Sequence, residues 1–305
     1  MNIDKGKGKD SQKASAAAVG NFDGFHRGHE KIIETLKGIA LEKNLSSIIL
    51  TFTPNPRVYF NKQTHLINTD AQKKGILEGV GVDRVLFLDF KKIVDMSAGK
   101  FLTDFLIKEY NMKHIVMGEN FRFGKDREGD IESLKAVADR WGFEFTVVPP
   151  VMLDDFRISS SSIREKLADS QIECANRMLG RMYFIEGVVV EGDKVGRQLG
   201  FPTINVETEN TLLPEGVFKT RVEVEDDNRV YDSVTNIGYR PTFSGREKKV
   251  ESHLFDFDRK IYGKRVKIFF QKKLRGEVKF ESKKNLINQI KKDIENLKVD
   301  KGMIF

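Results

Sequence analysis

The chain has 305 residues, 39% hydrophobic and 32% charged, with 52 Lys and Arg against 45 Asp and Glu. That length suits two domains, each able to bury a core without disulfides or a structural metal. No apolar run approaches the roughly 20 residues that span a bilayer; the lone cysteine, Cys174, excludes an intrachain disulfide, and the sequence has no Cys/His cluster at zinc-binding spacing.

Residues 1–14 read as a polar tail without the apolar stretch of a secretory signal, and with the single cysteine this makes the cytoplasm the expected compartment. From 16 to 148, strand-like runs alternate with amphipathic helical stretches. Strands are predicted at 16–19, 47–52, 84–88, 114–117 and 144–148, and helices at 30–43, 98–109 and 131–141. This alternation predicts an open, mainly parallel sheet wrapped by helices, Rossmann-like, with ligands at the carboxyl ends of its strands. Residues 163–179 read as one or two connecting helices. After Arg181 the texture becomes short alternating segments at 183–190, 218–224, 230–237, 251–255 and 264–274, punctuated by Gly, Asp and Asn. These predict a small antiparallel barrel or sandwich. A helix at 280–297 closes the chain, with Leu286, Ile290, Ile294 and Leu297 on one face. The expected organisation is therefore a tail (1–14), an α/β domain (15–169), a linker helix (170–180) and a β domain (181–305).

The first strand runs into Gly20-Asn21-Phe22-Asp23-Gly24-Phe25-His26-Arg27-Gly28-His29, where a helix is expected to begin. Glycines let backbone approach a ligand, and a helix N-terminus offers unpaired N–H groups and a positive dipole end to phosphate. An imidazole can donate a hydrogen bond to a pentavalent phosphoryl centre. Taken alone, H-x-G-H is equally a turn with solvated histidines. Directly after a first strand, however, it resembles the signature of the nucleotidyltransferase superfamily, and GNFDGFHRGH is similar to the version in bacterial FAD synthetases. Their second signature, an ISSTxIR-like segment, is resembled by Ile158-Ser159-Ser160-Ser161-Ser162-Ile163-Arg164. Hydroxyls and helix N–H groups there can hold polyphosphate oxygens while Arg164 supplies a fixed fork of donors; a serine N-cap beside an exposed arginine is the plainer alternative.

Two further segments match. MGENFRFGK at 117–125 resembles the GxDFxFG loop, with Asn120 where the family has Asp, and TFTPNPR at 51–57 resembles TFxPHP, with Asn55 replacing the histidine. For the latter, a rigid proline turn and direct ligand contact both stand. The resemblance implies attack of the FMN phosphate on the α-phosphorus of ATP, with pyrophosphate leaving. It implies His26 and His29 at the transition state, and Gly20, Asn21, Phe22 and Gly28 near the phosphates. Ser159, Ser160 and Arg164 would hold the polyphosphate, and Asn55, Asn120 and Phe123 would face the flavin. Charge neutralisation and alignment suffice for such a transfer without a protein nucleophile.

In the second half, residues 187–205 carry Gly192, Gly196 and Gly200 across an inter-strand loop. Glycine density lets N–H groups fold round phosphate, although hairpin loops use glycine too. GRQLGFPTIN at 196–205 resembles the GRxxGFPTAN signature of riboflavin kinases, NIGYRPTF at 236–243 their NIGxRPTF, and VESHL at 250–254 their VExHL. The resemblance implies that Thr203 and Asn205 ligate Mg²⁺ and ATP phosphates, as hard oxygen donors suit that ion. It places Arg240 on the flavin side. Glu251 is the implied general base towards the ribityl hydroxyl; an exposed glutamate on an edge strand is the alternative. His253, two residues on, reads as structural.

From about 16 to about 297 the chain thus resembles the bacterial bifunctional riboflavin kinase/FMN adenylyltransferase family, which implies riboflavin, FMN and ATP as partners and Mg²⁺ as cofactor. No membrane and no nucleic acid is expected, and a monomer or weak homo-oligomer is. A kinase whose N-terminal half is merely regulatory is a second reading, suggested by Asn55 and Asn120. A basic nucleic-acid-binding protein is a third, but the basic residues alternate with acidic ones, notably over 283–298.

Overall fold

The predicted strands of the first half lie side by side in parallel. The computed structural model describes residues 13–61, 63–192, 195–242, 245–278 and 282–299. The chain divides into two units, Met1–Ser160 and Ser161–Phe305.

In the first unit β1 (Ser15–Val19), β2 (Ser46–Thr53), β3 (Arg84–Asp89), β4 (Met112–Gly118) and β5 (Glu144–Val148) form a parallel sheet in the order β3-β2-β1-β4-β5. β1 lies at its centre and is buried along its whole length. Successive side chains of a strand point to opposite faces, so Ala16 and Ala18 join one core with Ile49 and Val116, while Ala17 and Val19 join another with Leu50 and Ile115. Small residues in β1 allow helices to close on both faces. The helix α1 (Arg27–Glu42) buries Ile33, Leu36 and Ala40 at helical spacing against the first core. Each fully buried Leu or Ile contributes roughly 1.5–3 kcal/mol. Helix 131–141 forms as expected. The 98–109 helix starts at Ala98–Lys100 and continues over Phe101–Glu109 with wider i→i+5 turns.

Helices Pro56–Phe60, Asp70–Glu78 and Phe90–Ile93 were not expected. The middle one is polar for its length, and it is started by a capping box between Thr69 and Gln72. A short hairpin of β6 (Met152–Leu153) and β7 (Phe156–Arg157) leads to the helix Ser160–Ala168.

The second unit is a closed antiparallel barrel, which decides between barrel and sandwich. Its strands β8 (Tyr183–Val190), β9 (Ile204–Thr208), β10 (Gly216–Val224), β11 (Val230–Thr242), β12 (Gly245–Leu254) and β13 (Arg265–Arg275) run in the order β10-β11-β12-β9-β8-β13, and β13 pairs back to β10. β9 was not expected, because it is short and overlaps the glycine-rich motif. Inside, Phe218, Ile237, Ile268 and Phe270 surround a chain of buried hydroxyls. Thr220 meets Ser233 and Thr235 at 2.7 Å each, and Thr235 meets Ser252 at 2.9 Å, so every member is satisfied without water. The helix Ile172–Leu179 packs on this barrel through Asn176, which donates to Phe270 O at 2.8 Å and accepts from Tyr183 N at 2.7 Å. The last helix, Lys283–Val299, is tied to β13 by Arg275 and the buried Asp293, 2.9 Å apart. Residues 280 and 281 of the predicted terminal helix, and the side chains of Leu286 and Leu297, lie outside the described residues.

Candidate active sites

The sheet order places a topological switch between β1 and β4, where open α/β sheets bind ligands outside the carboxyl ends of their strands. The 20–29 loop follows β1 and the 118–130 loop follows β4, so both flank that crevice. Gly20 N donates to Leu50 O at 3.0 Å and Thr51 Oγ1 to Asn21 O at 3.3 Å, anchoring the loop's start. Phe22 and Phe25 adopt left-handed φ of 48° and 35°, an uncommon backbone that the surrounding packing must impose. At Gly24, with φ 81°, any side chain would also strike Ile67.

His26 caps α1. Its Nδ1 accepts from His29 N at 3.3 Å, and His29 Nδ1 accepts from His26 N at 3.4 Å. The two rings stack with centroids 3.7 Å apart, and Gly28 leaves room for the His26 ring. Because both Nδ1 atoms accept, the neutral rings both carry their proton on Nε2. The helix start thus holds two imidazole N–H donors beside its own positive end, an arrangement suited to phosphoryl oxygens.

Asp23, which the sequence reading passed over, ties this loop to two others. Its Oδ1 accepts from Ile67 N at 3.0 Å, and its carbonyl accepts from Ser160 Oγ at 2.8 Å. The serine-rich segment is therefore docked on the histidine loop by Ser160 itself. Ser159 is half-buried just before the helix, and Arg164, one turn in, has Nη2 3.2 Å from Ser161 Oγ.

The expected flavin-side residues divide. Asn55 is buried and caps the helix Pro56–Phe60, accepting from Arg57 N at 3.0 Å; its amide oxygen serves the proline turn. Asn120 is exposed, and with its oxygen turned to Arg157 it accepts from both terminal guanidinium nitrogens at 3.0 and 3.2 Å. Glu119 stands 3.4 Å from the same guanidinium, so a carboxylate absent from position 120 is present next door. Phe123 lies in the core, stacked on Phe121 at 5.4 Å. Sequence reasoning missed an aromatic group that follows the carboxyl ends of β2 and β3. Tyr59, Phe60 and Phe90 meet edge to face at 5.2–5.8 Å, with Phe60 71% exposed. A pair of aromatics just after the proline turn was the available signal.

On the barrel, strand register does the assembly. Asn205 of β9 pairs directly with Glu251 of β12, which pairs with Asn236 of β11. Direct partners share a face, so the three form one half-buried row. Asn236 is the member that sequence reasoning did not assign. A Cβ at Gly192 would overlap the Asn205 carboxamide, and one at Gly196 would collide with Phe201 O and come 3.1 Å from Thr203 Oγ1. These glycines are the walls of a cradle for the two oxygen donors. Gly200 takes a left-handed φ of 85° in the same turn. A cavity of about 250 Å³ opens beside Thr203, bounded also by Pro202, Ser252, Phe257, Arg259 and Tyr262. The side chain of Arg240 lies outside the described residues.

Residues 8–162 match the FAD synthetase family model and residues 179–299 the riboflavin kinase model. Relatives named bifunctional riboflavin kinase/FMN adenylyltransferase are 37% identical in Haemophilus influenzae (93% of each chain), 36% in Bacillus subtilis (93% of this chain, 92% of that one) and 34% in Buchnera aphidicola (93% of each). The chain belongs to the bifunctional riboflavin kinase/FMN adenylyltransferase family. A solved structure of a macrolide-efflux protein from Streptococcus pneumoniae is 31% identical and matches 93% of each chain with a TM-score of 0.85. The efflux name is that protein's own; among the described residues here no helix is long and apolar enough to cross a membrane. In family terms, the histidine cap belongs to the FAD synthetase half and the Asn205–Glu251 row to the riboflavin kinase half.

Proposed function

We propose that the chain makes flavin cofactors in two ATP-dependent steps, phosphorylating riboflavin to FMN in 181–305 and adenylylating FMN to FAD in 15–169. The observation that carries this reading is that each unit brings its own motif residues together, His26 onto His29 in one and Asn205 beside Glu251 in the other.

In the first unit an FMN phosphate oxygen attacks the α-phosphorus of ATP and pyrophosphate leaves. The Nε2–H groups of His26 and His29 donate to the oxygens that gain charge, and backbone N–H groups of Asn21, Phe22 and Gly28 add donors, while Gly20, bonded to Leu50, anchors the loop that carries them. Ser159 and Ser160 hold the departing polyphosphate, and the family resemblance assigns the Arg164 guanidinium to it as well. The exposed Tyr59 and Phe60, with the half-buried Phe90, offer ring faces and edges to the isoalloxazine, while Asn55, Asn120 and Phe123 support that side through the turn and loop they hold.

In the barrel the Glu251 carboxylate accepts the ribityl hydroxyl proton as that oxygen attacks the γ-phosphorus of ATP, and ADP leaves with the bridging oxygen as its bond to the γ-phosphorus breaks. Thr203 Oγ1 and the Asn205 amide oxygen fit Mg²⁺ by donor chemistry and by the glycine cradle that seats them. Among the described residues no group of three or more His, Cys, Asp or Glu could hold a metal, which suits an ion shared with substrate phosphates. Bound there, Mg²⁺ neutralises phosphate charge. Gly192, Gly196 and Gly200 leave backbone open to the phosphates, the cavity beside Thr203 receives the rest of the nucleotide, and Arg240 serves the flavin side. The lone cysteine and phosphorylated substrates support a cytoplasmic location.

The test is incubation with riboflavin, ATP and Mg²⁺, with flavins separated by chromatography over time. FMN that appears and converts to FAD is the expected result. Accumulation of FMN alone leaves the kinase and refutes the adenylyl transfer.

A further inference from the structure

The pairing of β9 with β12 stops one residue short of Thr203. Its pairs are Val206 with Val250, Asn205 with Glu251 and Ile204 with Ser252. The next pair in register would join Thr203 to His253, but the chain has left the strand. There a side chain takes over. His253 Nδ1 lies 2.8 Å from Pro202 O, and since a carbonyl only accepts, Nδ1 carries the proton and donates. The imidazole is held between the edges of Phe201 (centroids 5.8 Å, 88°) and Phe255 (5.5 Å, 69°). The turn it grips is itself tight, because Gly196 O accepts from Leu199 N at 3.1 Å and from Phe201 N at 2.8 Å.

His253 follows Glu251 by two residues on the same face of β12, and Pro202 immediately precedes Thr203. One side chain therefore reaches from the strand of the proposed base to the turn of the proposed phosphate and metal ligand. We propose that His253 is a positioning residue of the kinase site, its hydrogen bond to Pro202 extending the β9–β12 register so that Thr203 is fixed relative to Glu251. This rests on the roles given above to Thr203 and Glu251. It assigns His253 no contact with substrate.

The test uses the full chain with His253→Ala and His253→Asn, since an Asn amide nitrogen can stand near the place of Nδ1. Kinase kcat and KM are measured for ATP and riboflavin separately, and adenylyl transfer from supplied FMN is measured as a reference within the same chain. His253→Ala is expected to lower kcat/KM for ATP about tenfold, within the range that a misplacement near 1 Å produces. It should move the riboflavin KM less than about twofold and leave adenylyl transfer unchanged, while His253→Asn recovers to within about threefold of wild type. Unchanged kinetics in His253→Ala overturn the proposal, as does His253→Asn no better than His253→Ala. If the alanine variant does not fold, His253→Asn against wild type decides, a tenfold loss overturning the proposal and recovery supporting it. Thr203→Ala in parallel separates the two failures: an active Thr203→Ala refutes the role of Thr203 itself.

Discussion

The two units arrange phosphate chemistry by opposite means. In the sheet unit the reactive pair lies within one short run, and a single helix start places His26 against His29 through a reciprocal cap. In the barrel unit Asn205 and Glu251 are far apart in sequence and become neighbours only through strand pairing. A locally built site is fixed wherever its helix forms. A register-built site depends on every strand that holds the register, since a slip of one residue turns the row to the other face.

The largest expected effect separates the halves completely. His29→Ala should lower adenylyl transfer by about 10²–10³-fold and leave FMN formation intact. Glu251→Gln should lower FMN formation by about 10²–10⁴-fold while FAD still forms from supplied FMN. Paired chromatographic time courses check both; a variant that loses both activities breaks the assignment of separate sites.

The next sharpens the cradle. Gly192→Ala places a methyl where the Asn205 carboxamide lies, so kinase kcat/KM for ATP should fall by tens of fold, up to about 10², with the barrel's thermal transition retained. Near-normal kinetics would mean that Asn205 is not needed in that position.

A smaller effect is expected at the aromatic edge. Phe60→Ala should raise the KM for FMN in adenylyl transfer by about three- to tenfold, the size of one aromatic contact, with kcat little changed. An unaltered KM would move the flavin elsewhere.

The smallest concerns stability at the opposite end of the sheet. Burial pushes the His114 imidazole below its ordinary value, with Lys43 adding to this and Glu144, 3.7 Å from Nδ1, and Glu42 opposing it. The unfolded chain takes up this proton near pH 6.5 and the folded chain only at lower pH. The unfolded state therefore binds more protons in that window, and stability is complete above about 6.5 and falls as pH drops below it. Thermal melts at pH 7.5 and 5.5 should show a larger loss in wild type than in His114→Gln. Equal losses would show that His114 does not report on folding.

Much of the chemistry was visible in advance because it is local. The motifs at 20–29 and 196–205 carry their glycines, histidines and hydroxyls in a few consecutive residues, and the central strands announce themselves as apolar runs. Asn55 and Phe123 are cases where a motif position did not reveal its surroundings: one amide is engaged as a helix cap, and one ring lies in a core. Helix Asp70–Glu78 escaped because a capping box, rather than an apolar stripe, starts it.

What the sequence determined by itself was the pair of families, the α/β and β character of the halves, and the identity of the groups that could act. Those follow from residue type, from spacing and from the periods of helix and strand. Only the tertiary structure decided that the β half closes into a barrel, that Asp23 docks the serine segment, that three aromatics gather at the sheet's carboxyl edge, and that His253 grips Pro202 where the strand ladder ends. Each of these joins residues distant in the chain, and their proximity is set by which strands pair and in which register, a choice made by the packing of the whole unit.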